Sequence, residues 1–163
     1  MTNPKDNIDL LILYKVGLQC GVLDTKALVD FADRILAKED NPDYLFIEIS
    51  LCGNDKSRLI DVLSDFTREY RKKISGEYLF GAIRSNYIKQ EIDLEGTVIL
   101  LYKLKDELDL TEKEEAFIYN IDDQYYLASD NVIGTVKEVE NGLLNFLAKY
   151  KESDLGSHIP WKK

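Results

Sequence analysis

"QCGVLDTKALVDF" at residues 19–31 and "LCGNDKSRLIDVL" at residues 51–63 decide the fold, because the second stretch echoes the first. In each, a Cys-Gly pair is followed by a polar turn and then by an apolar pair and an aspartate, once one residue is dropped. The echo has a period of 31 to 32 residues. That period is typical of a helix-turn-helix unit that buries its apolar face against a neighbour. The repeat therefore predicts two stacked helical hairpins.

Helix signals surround both copies of the repeat. The dense apolar run after Asp9 predicts a first helix buried on all sides, and glycine after each cysteine is the residue type that ends a helix in the left-handed conformation. The predicted starts of the next three helices are Asp24 or Thr25, Asn41 with Pro42, and Asn54 or Asp55. We expect the fourth helix to carry Tyr70 and to end among residues 71–76.

The second half contains four further predicted helices. Ser75 or Gly76 opens one, Asp93 caps one that extends to Leu108, and two capping boxes start the others, Thr111 with Glu114 and Thr135 with Glu138. Between residues 117 and 128 the apolar spacing of 3.6 residues favours helix. A short β-hairpin turned by Asp122 and Asp123 is the alternative, since several residues there also favour strand.

These signals predict an all-α fold, with antiparallel helical hairpins stacked in a repeat-like or bundle arrangement. A chain of 163 residues is long enough to bury a core of its own. We therefore expect residues 1–163 to form a single helical domain. We expect residues 152–163 to form its irregular C-terminal tail, with Ile159 and Trp161 folded back onto the body.

Negative charge is concentrated late in the chain. The formal net charge is −9, and between Asp106 and Glu140 eleven acidic side chains face only two lysines. Such a region repels nucleic acid and attracts a basic protein. The neighbouring tyrosines are amphipathic residues that interfaces favour. The predicted partner-binding residues are Asp106, Glu107, Asp109, Glu112, Glu115, Asp122, Asp123, Tyr125, Tyr126 and Asp130.

Most catalytic and metal-binding arrangements lack a required residue. His158 is the only histidine, the two cysteines form no CxxC pair, and no glycine-rich phosphate motif occurs. Glu112 and Glu115 form an ExxE pair, but no ExxD follows it. The sequence thus predicts no enzyme, no cofactor and no metal. A magnesium-dependent carboxylate hydrolase is kept as an alternative.

The N-terminal region carries no sign of export or membrane insertion. The apolar run Leu10–Tyr14 is too short to span a bilayer, and residues 1–7 lack a basic signal region. We expect a cytoplasmic protein that does not bind membranes. Cys20 and Cys52 are then expected to be small buried side chains, although a disulfide between them stays open.

Residues 13–66, "LYKVGLQCGVLDTKALVDFADRILAKEDNPDYLFIEISLCGNDKSRLIDVLSDF", resemble the opening of small all-helical bacterial proteins, either uncharacterised or immunity proteins of polymorphic toxin systems. The shared pattern is a short helix, the turn at 21–23, an amphipathic helix and a second hairpin. The resemblance implies a non-enzymatic inhibitor that binds a basic toxin, often a nuclease. A helical adaptor that binds a partner peptide in an apolar groove is the other non-enzymatic hypothesis.

Overall fold

The computed structural model describes residues 1–151, and over these residues the fold is all-α, as predicted. The helices are α1 (Ile8–Gln19), α2 (Lys26–Lys38), α3 (Tyr44–Cys52), α4 (Lys56–Thr67), α5 (Glu77–Ile88), α6 (Leu94–Leu104), α7 (Glu112–Ser129) and α8 (Val136–Leu147). Short 3-10 turns cover Pro4–Asn7 and Arg68–Tyr70. Two short strands, β1 (Ile74–Ser75) and β2 (Leu108–Asp109), form a two-stranded sheet.

The described chain divides into two compact units. Unit 1 contains residues 1–74, and unit 2 contains residues 75–151. The single domain expected from the sequence stays a prediction. No helix within residues 1–151 has both the length and the apolar character needed to cross a membrane. The expectations for the tail, including His158, Ile159 and Trp161, lie outside the described residues.

Unit 1 contains the two predicted hairpins. Its main packing partners are α2 with α3 and α1 with α4, and α3 also contacts α4. α1 is apolar around its circumference, and Leu11, Tyr14 and Leu18 are completely buried. Gly21 and Gly53 follow α1 and α3 with φ of 76° and 53°, in the left-handed region that only glycine adopts without strain. The repeated Cys-Gly pair thus marks two equivalent helix ends.

Unit 2 is built from α5 to α8, with α7 packed between α6 and α8. Its aromatic core is formed by Phe80, Phe117 and Phe146. The rings of Phe117 and Phe146 stack with centroids 4.0 Å apart, and Phe80 meets Phe146 edge to face at 5.4 Å. Tyr150 closes this cluster, because its ring lies 5.0 Å from that of Phe80 and its hydroxyl donates to Glu114 Oε1 at 2.8 Å.

Three local expectations were wrong, whereas the helix favoured at 117–128 is confirmed. α3 starts at Tyr44, after Asn41 and Pro42, because the Asp43 carboxylate accepts from the Leu45 N–H and caps it there. α4 ends at Thr67, and the chain tightens into the 3-10 turn that contains Tyr70. Leu108 belongs to β2 and not to α6. The alternative hairpin at 117–128 is also absent, since these residues lie within the continuous helix α7. Within the described residues Cys20 and Cys52 do not form a disulfide; Cys52 is buried as expected, whereas Cys20 is only half-buried.

Candidate functional site

The outward side of α7 carries alternating carboxylates and tyrosines. At about 100° per residue, seven residues fall within roughly one third of the helix circumference. They are Glu112, Glu115, Tyr119, Asp122, Asp123, Tyr126 and Asp130, the last being the C-cap residue. The buried residues Ile121 and Ala128 lie on the opposite side, and the buried Ile118 lies beside Asp122 at the edge of this set. We call this set of seven residues the acidic face of α7.

The sequence of α7 explains why this face stays outside. Thr111 and Glu114 form the predicted capping box, with Glu114 Oε2 accepting from the Thr111 N–H at 2.8 Å. Glu114 also accepts from Tyr150, so its carboxylate is held on the inner side of the helix. The apolar side of α7 is fixed against α6 and α8. The carboxylates of the face are therefore exposed, except for the half-buried Asp122, along a helix about 27 Å long.

Within residues 1–151, the carboxylates of the acidic face have no cationic partner at ion-pair distance. Among residues 1–151, no ion pair includes Glu112, Glu115, Asp122 or Asp123. Partial burial raises the pKa of Asp122, and the adjacent charge of Asp123 raises it further. The two acids thus repel each other in the folded state. Burial and repulsion together therefore make the ionised form of Asp122 unfavourable for folding.

The tyrosines of the face are exposed. Tyr119 and Tyr126 have 45% and 46% of their surface accessible. Tyr119 meets Tyr102 of α6 edge to face at 6.0 Å, and Lys105 Nζ lies 4.6 Å from the Tyr102 ring and 5.2 Å from the Tyr119 ring. Lys105 also pairs with Asp106 at 3.1 Å, and this hydrogen bond raises the pKa of the lysine. The cluster shows that this edge of the face accommodates a cation between aromatic rings and a carboxylate.

The structure brings together most of the residues predicted to bind a partner. Glu112, Glu115, Asp122, Asp123, Tyr126 and Asp130 share the acidic face. Asp106, Glu107 and Asp109 are exposed on the connection between α6 and α7, and Asp106 reaches the face through Lys105. Tyr125 does not belong to the face. Its side chain is half-buried on the flank of α7, where the charges of Glu95 and Asp93 help burial to raise its pKa.

Two members of this surface were not among the predicted site residues. Tyr119 was noted as an interface-type aromatic, and its place four residues from Glu115 and Asp123 would have assigned it to the face. Lys105 had no signal in the sequence, because its role depends on the packing of α6 against α7. Tyr119 could therefore have been assigned from its spacing, whereas Lys105 is identified only by its contacts in the structure.

The described residues contain no cluster of side chains suited to binding a metal ion. No cluster of three or more His, Cys, Asp or Glu side chains within residues 1–151 is placed to hold an ion. Glu112 and Glu115 share the acidic face but have no second pair of carboxylates opposite them. Burial raises the pKa of the Cys52 thiol, which donates to the Glu48 carbonyl at 3.2 Å. That cysteine is thus a packed, weakly reactive group.

Comparison of the chain with protein-family models, with curated proteins and with solved structures gave no match. The function is therefore inferred from the geometry of the described residues.

Proposed function

We propose that this chain is a non-enzymatic, cytoplasmic binding protein of the immunity type, which neutralises a basic toxin domain through the acidic face of α7. The observation that supports the proposal is the set of carboxylates on the acidic face, which form no ion pair within residues 1–151 and are interleaved with two exposed tyrosines. The partner is a protein, and neither a cofactor nor a metal takes part.

The negative charge of this face acts on a partner over a long range. Unit 2 carries fifteen acidic and eight basic side chains over residues 75–151, a net charge of −7. Each exposed carboxylate interacts weakly with a distant cation, but their summed potential steers a basic partner and raises its association rate. A nuclease binds phosphate through Lys and Arg. The row of carboxylates presents the same sign of charge as a nucleic acid backbone, so it competes for the same cationic site.

The tyrosines supply the short-range contact. Tyr119 and Tyr126 lie about two helical turns apart on the face. Each offers an aromatic surface with few rotatable bonds. Tyrosine and arginine are enriched among the residues that dominate interface energies. The intramolecular position of Lys105 over Tyr102 and Tyr119 is a local example of the cation–π contact that we propose for a partner arginine.

The test uses the protein encoded beside this chain, expressed with it and purified as a complex. We expect a stable pair whose association rate falls as salt is raised from 50 to 500 mM, values chosen to span strong and weak screening. The triple variant Glu115→Gln, Asp122→Asn and Asp123→Asn should weaken the complex by about tenfold or more.

A matched triple variant controls for net charge alone. Asp40, Asp61 and Glu69 are exposed acids of unit 1 that take part in no ion pair of the described chain. Their conversion to Asn, Asn and Gln changes the total charge equally and should leave affinity within about twofold. A complex that is indifferent to salt, or that both variants weaken equally, would contradict the proposal.

A further inference from the structure

A second surface of unit 2 shares no residue with the acidic face of α7. The end of α5, the start of α6 and one side of α8 enclose an open groove of about 520 Å³. Its apolar lining is Tyr87, Ile88, Ile92, Leu94, Val136 and Leu144, and its polar lining is Gln90, Asp93 and Glu140. None of the apolar lining residues is buried, and Ile88 is 50% exposed. A groove lined by exposed apolar side chains offers a partner helix a surface to pack against.

The groove wall follows one stripe of α8. Val136, Glu140 and Leu144 are spaced four residues apart, so they lie one above another along the helix. The buried stripe of α8, Val139, Leu143 and Leu147, lies beside them and is covered by the core of unit 2. The apolar sector of α8 is thus wider than unit 2 covers. The uncovered part is long enough for about two turns of a partner helix.

The charges of the groove have one sign. Among the described residues that line it, Asp93 and Glu140 are the charged ones, and both are acidic. The Tyr87 hydroxyl donates to Glu140 Oε1 at 2.8 Å, which helps to keep that carboxylate ionised. Lys137 pairs with its other oxygen at 3.2 Å, but this pair is exposed and weak. Glu91 and Glu95 are exposed on either side of Asp93 and alternate with the apolar Ile92 and Leu94.

We propose that this groove binds an amphipathic cationic helix of a partner protein, whose apolar residues pack against Ile88, Val136 and Leu144 while its Lys or Arg residues meet Asp93 and Glu140. An amphipathic helix laid in an apolar groove is a recurring recognition mode, and acidic side chains at the rim select cationic flanks. The inference does not depend on the acidic face of α7. It remains testable if the toxin-binding proposal fails.

The experiment uses the full chain and a fluorescent peptide of about fourteen residues, roughly four helical turns, with leucines on one face and lysines on the other. Two further peptides serve as probes: one with glutamate in place of lysine, and one with the leucines and lysines scrambled. We expect the leucine–lysine helix to bind, and Ile88→Asp or Leu144→Asp to weaken it by about tenfold or more. Asp93→Asn, which retains the helix cap, should weaken it by a few-fold.

Ile99→Asp is the matched control, because Ile99 is a 36% exposed isoleucine of the same unit outside the groove lining. Unchanged affinity in Ile99→Asp and in the triple α7 variant, with weaker binding of the scrambled and glutamate peptides, would support the proposal. Equal binding to wild type and Leu144→Asp would overturn it. Loss of binding only in the α7 variant would also overturn it, because the peptide would then bind at the acidic face. Competition by a peptide of residues 152–163, or dimerisation that Leu144→Asp abolishes, would overturn it as well, because the groove would then have another occupant.

Discussion

Gly17 and Gly142 both lie inside helices, but their surroundings are opposite. A Cβ on Gly17 would lie 2.5 Å from Leu23 Cδ1 and 2.7 Å from Leu23 Cγ, whereas a Cβ on Gly142 would meet nothing within 4 Å. Gly17 also accepts through its carbonyl from the Val22 and Leu23 N–H groups, which holds Leu23 in place. The helix glycine of α1 is therefore required by the turn that follows it.

We expect alanine at these two positions to change stability in opposite directions. Overpacking costs about 1–3 kcal/mol, which exceeds the gain of about 1 kcal/mol in helix propensity, so Gly17→Ala should lower the free energy of unfolding. Gly142→Ala should raise it by about 0.5–1 kcal/mol. Urea denaturation followed by far-UV circular dichroism measures both. A stabilised Gly17→Ala variant would mean that Leu23 moves without cost.

Tyr87 offers a second test at the scale of one side chain. Burial raises its pKa to about 12, and the hydrogen bond to Glu140 contributes to the rise. A folded-state pKa above the unfolded value of about 10 means that this stability is present below pH 10 and is lost as pH rises through 12. We expect Glu140→Gln to lower the Tyr87 pKa, because the negative charge is removed, without restoring the ordinary value.

Carbon-13 NMR of labelled tyrosine rings, with the Tyr87→Phe spectrum for assignment, measures this change. The resonance of Tyr102, which is not paired with Glu140, serves as the internal control. A Tyr87 pKa that is the same in wild type and Glu140→Gln would contradict the contribution of the hydrogen bond.

At the scale of helices, the starts were easier to predict than the ends. Asp55, Asp93, Thr111 and Thr135 all act as N-caps, because a side-chain oxygen bonds a backbone N–H two or three residues ahead and leaves a local sequence signature. The ends of α4 and α6 were predicted too late. Tyr70 and Leu108 keep apolar spacing, but tertiary packing places them in a 3-10 turn and a strand.

The candidate surfaces show the same division. The acidic face was predictable because its residues recur at helical spacing within one capped helix. Tyr125 was predicted to bind the partner together with these residues, but it lies half-buried on the flank of α7, in a position that depends on the packing of α7 against α6 and α8. The groove was not predicted, because Ile88, Leu94 and Leu144 come from three helices that only the fold brings together.

α7 should be more stable without part of its own charge. The pKa of Asp122 is raised in the folded state, so its ionised form disfavours folding at neutral pH. We expect Asp122→Asn to stabilise the protein by about 0.3–0.5 kcal/mol at pH 7. The gain should vanish as pH falls below 3.8, the ordinary aspartate value, because wild-type Asp122 is then protonated in both states.

Asp30→Asn is the control for this prediction. Asp30 pairs with Lys26 at 2.8 Å on α2, so its loss should leave stability unchanged or slightly lower. Thermal unfolding at several pH values compares the two variants. A destabilised Asp122→Asn protein would show that this carboxylate has a structural role. That result would contradict the proposal that the acidic face exists for binding.

At the scale of the whole molecule, charge is divided unequally between the two units. Residues 1–74 carry thirteen acidic and eleven basic side chains, a net charge of −2, against −7 for residues 75–151. Self-repulsion opposes compact structure, and salt screens it. The Debye length falls from about 30 Å at 0.01 M to about 8 Å at 0.15 M, which is short compared with the length of α7. Unit 2 should therefore gain more stability from salt than unit 1.

We expect added sodium chloride to slow amide hydrogen exchange in unit 2 by roughly two- to fivefold, a gain of about 0.4–1 kcal/mol, with a smaller change in unit 1. The amides of Leu101 and Leu143 report on unit 2, and those of Leu28 and Leu59 report on unit 1, because all four side chains are fully buried. Sucrose, which stabilises without screening charge, is the control and should not favour unit 2. Equal slowing of both units by salt would contradict the expected link between uneven charge and local stability.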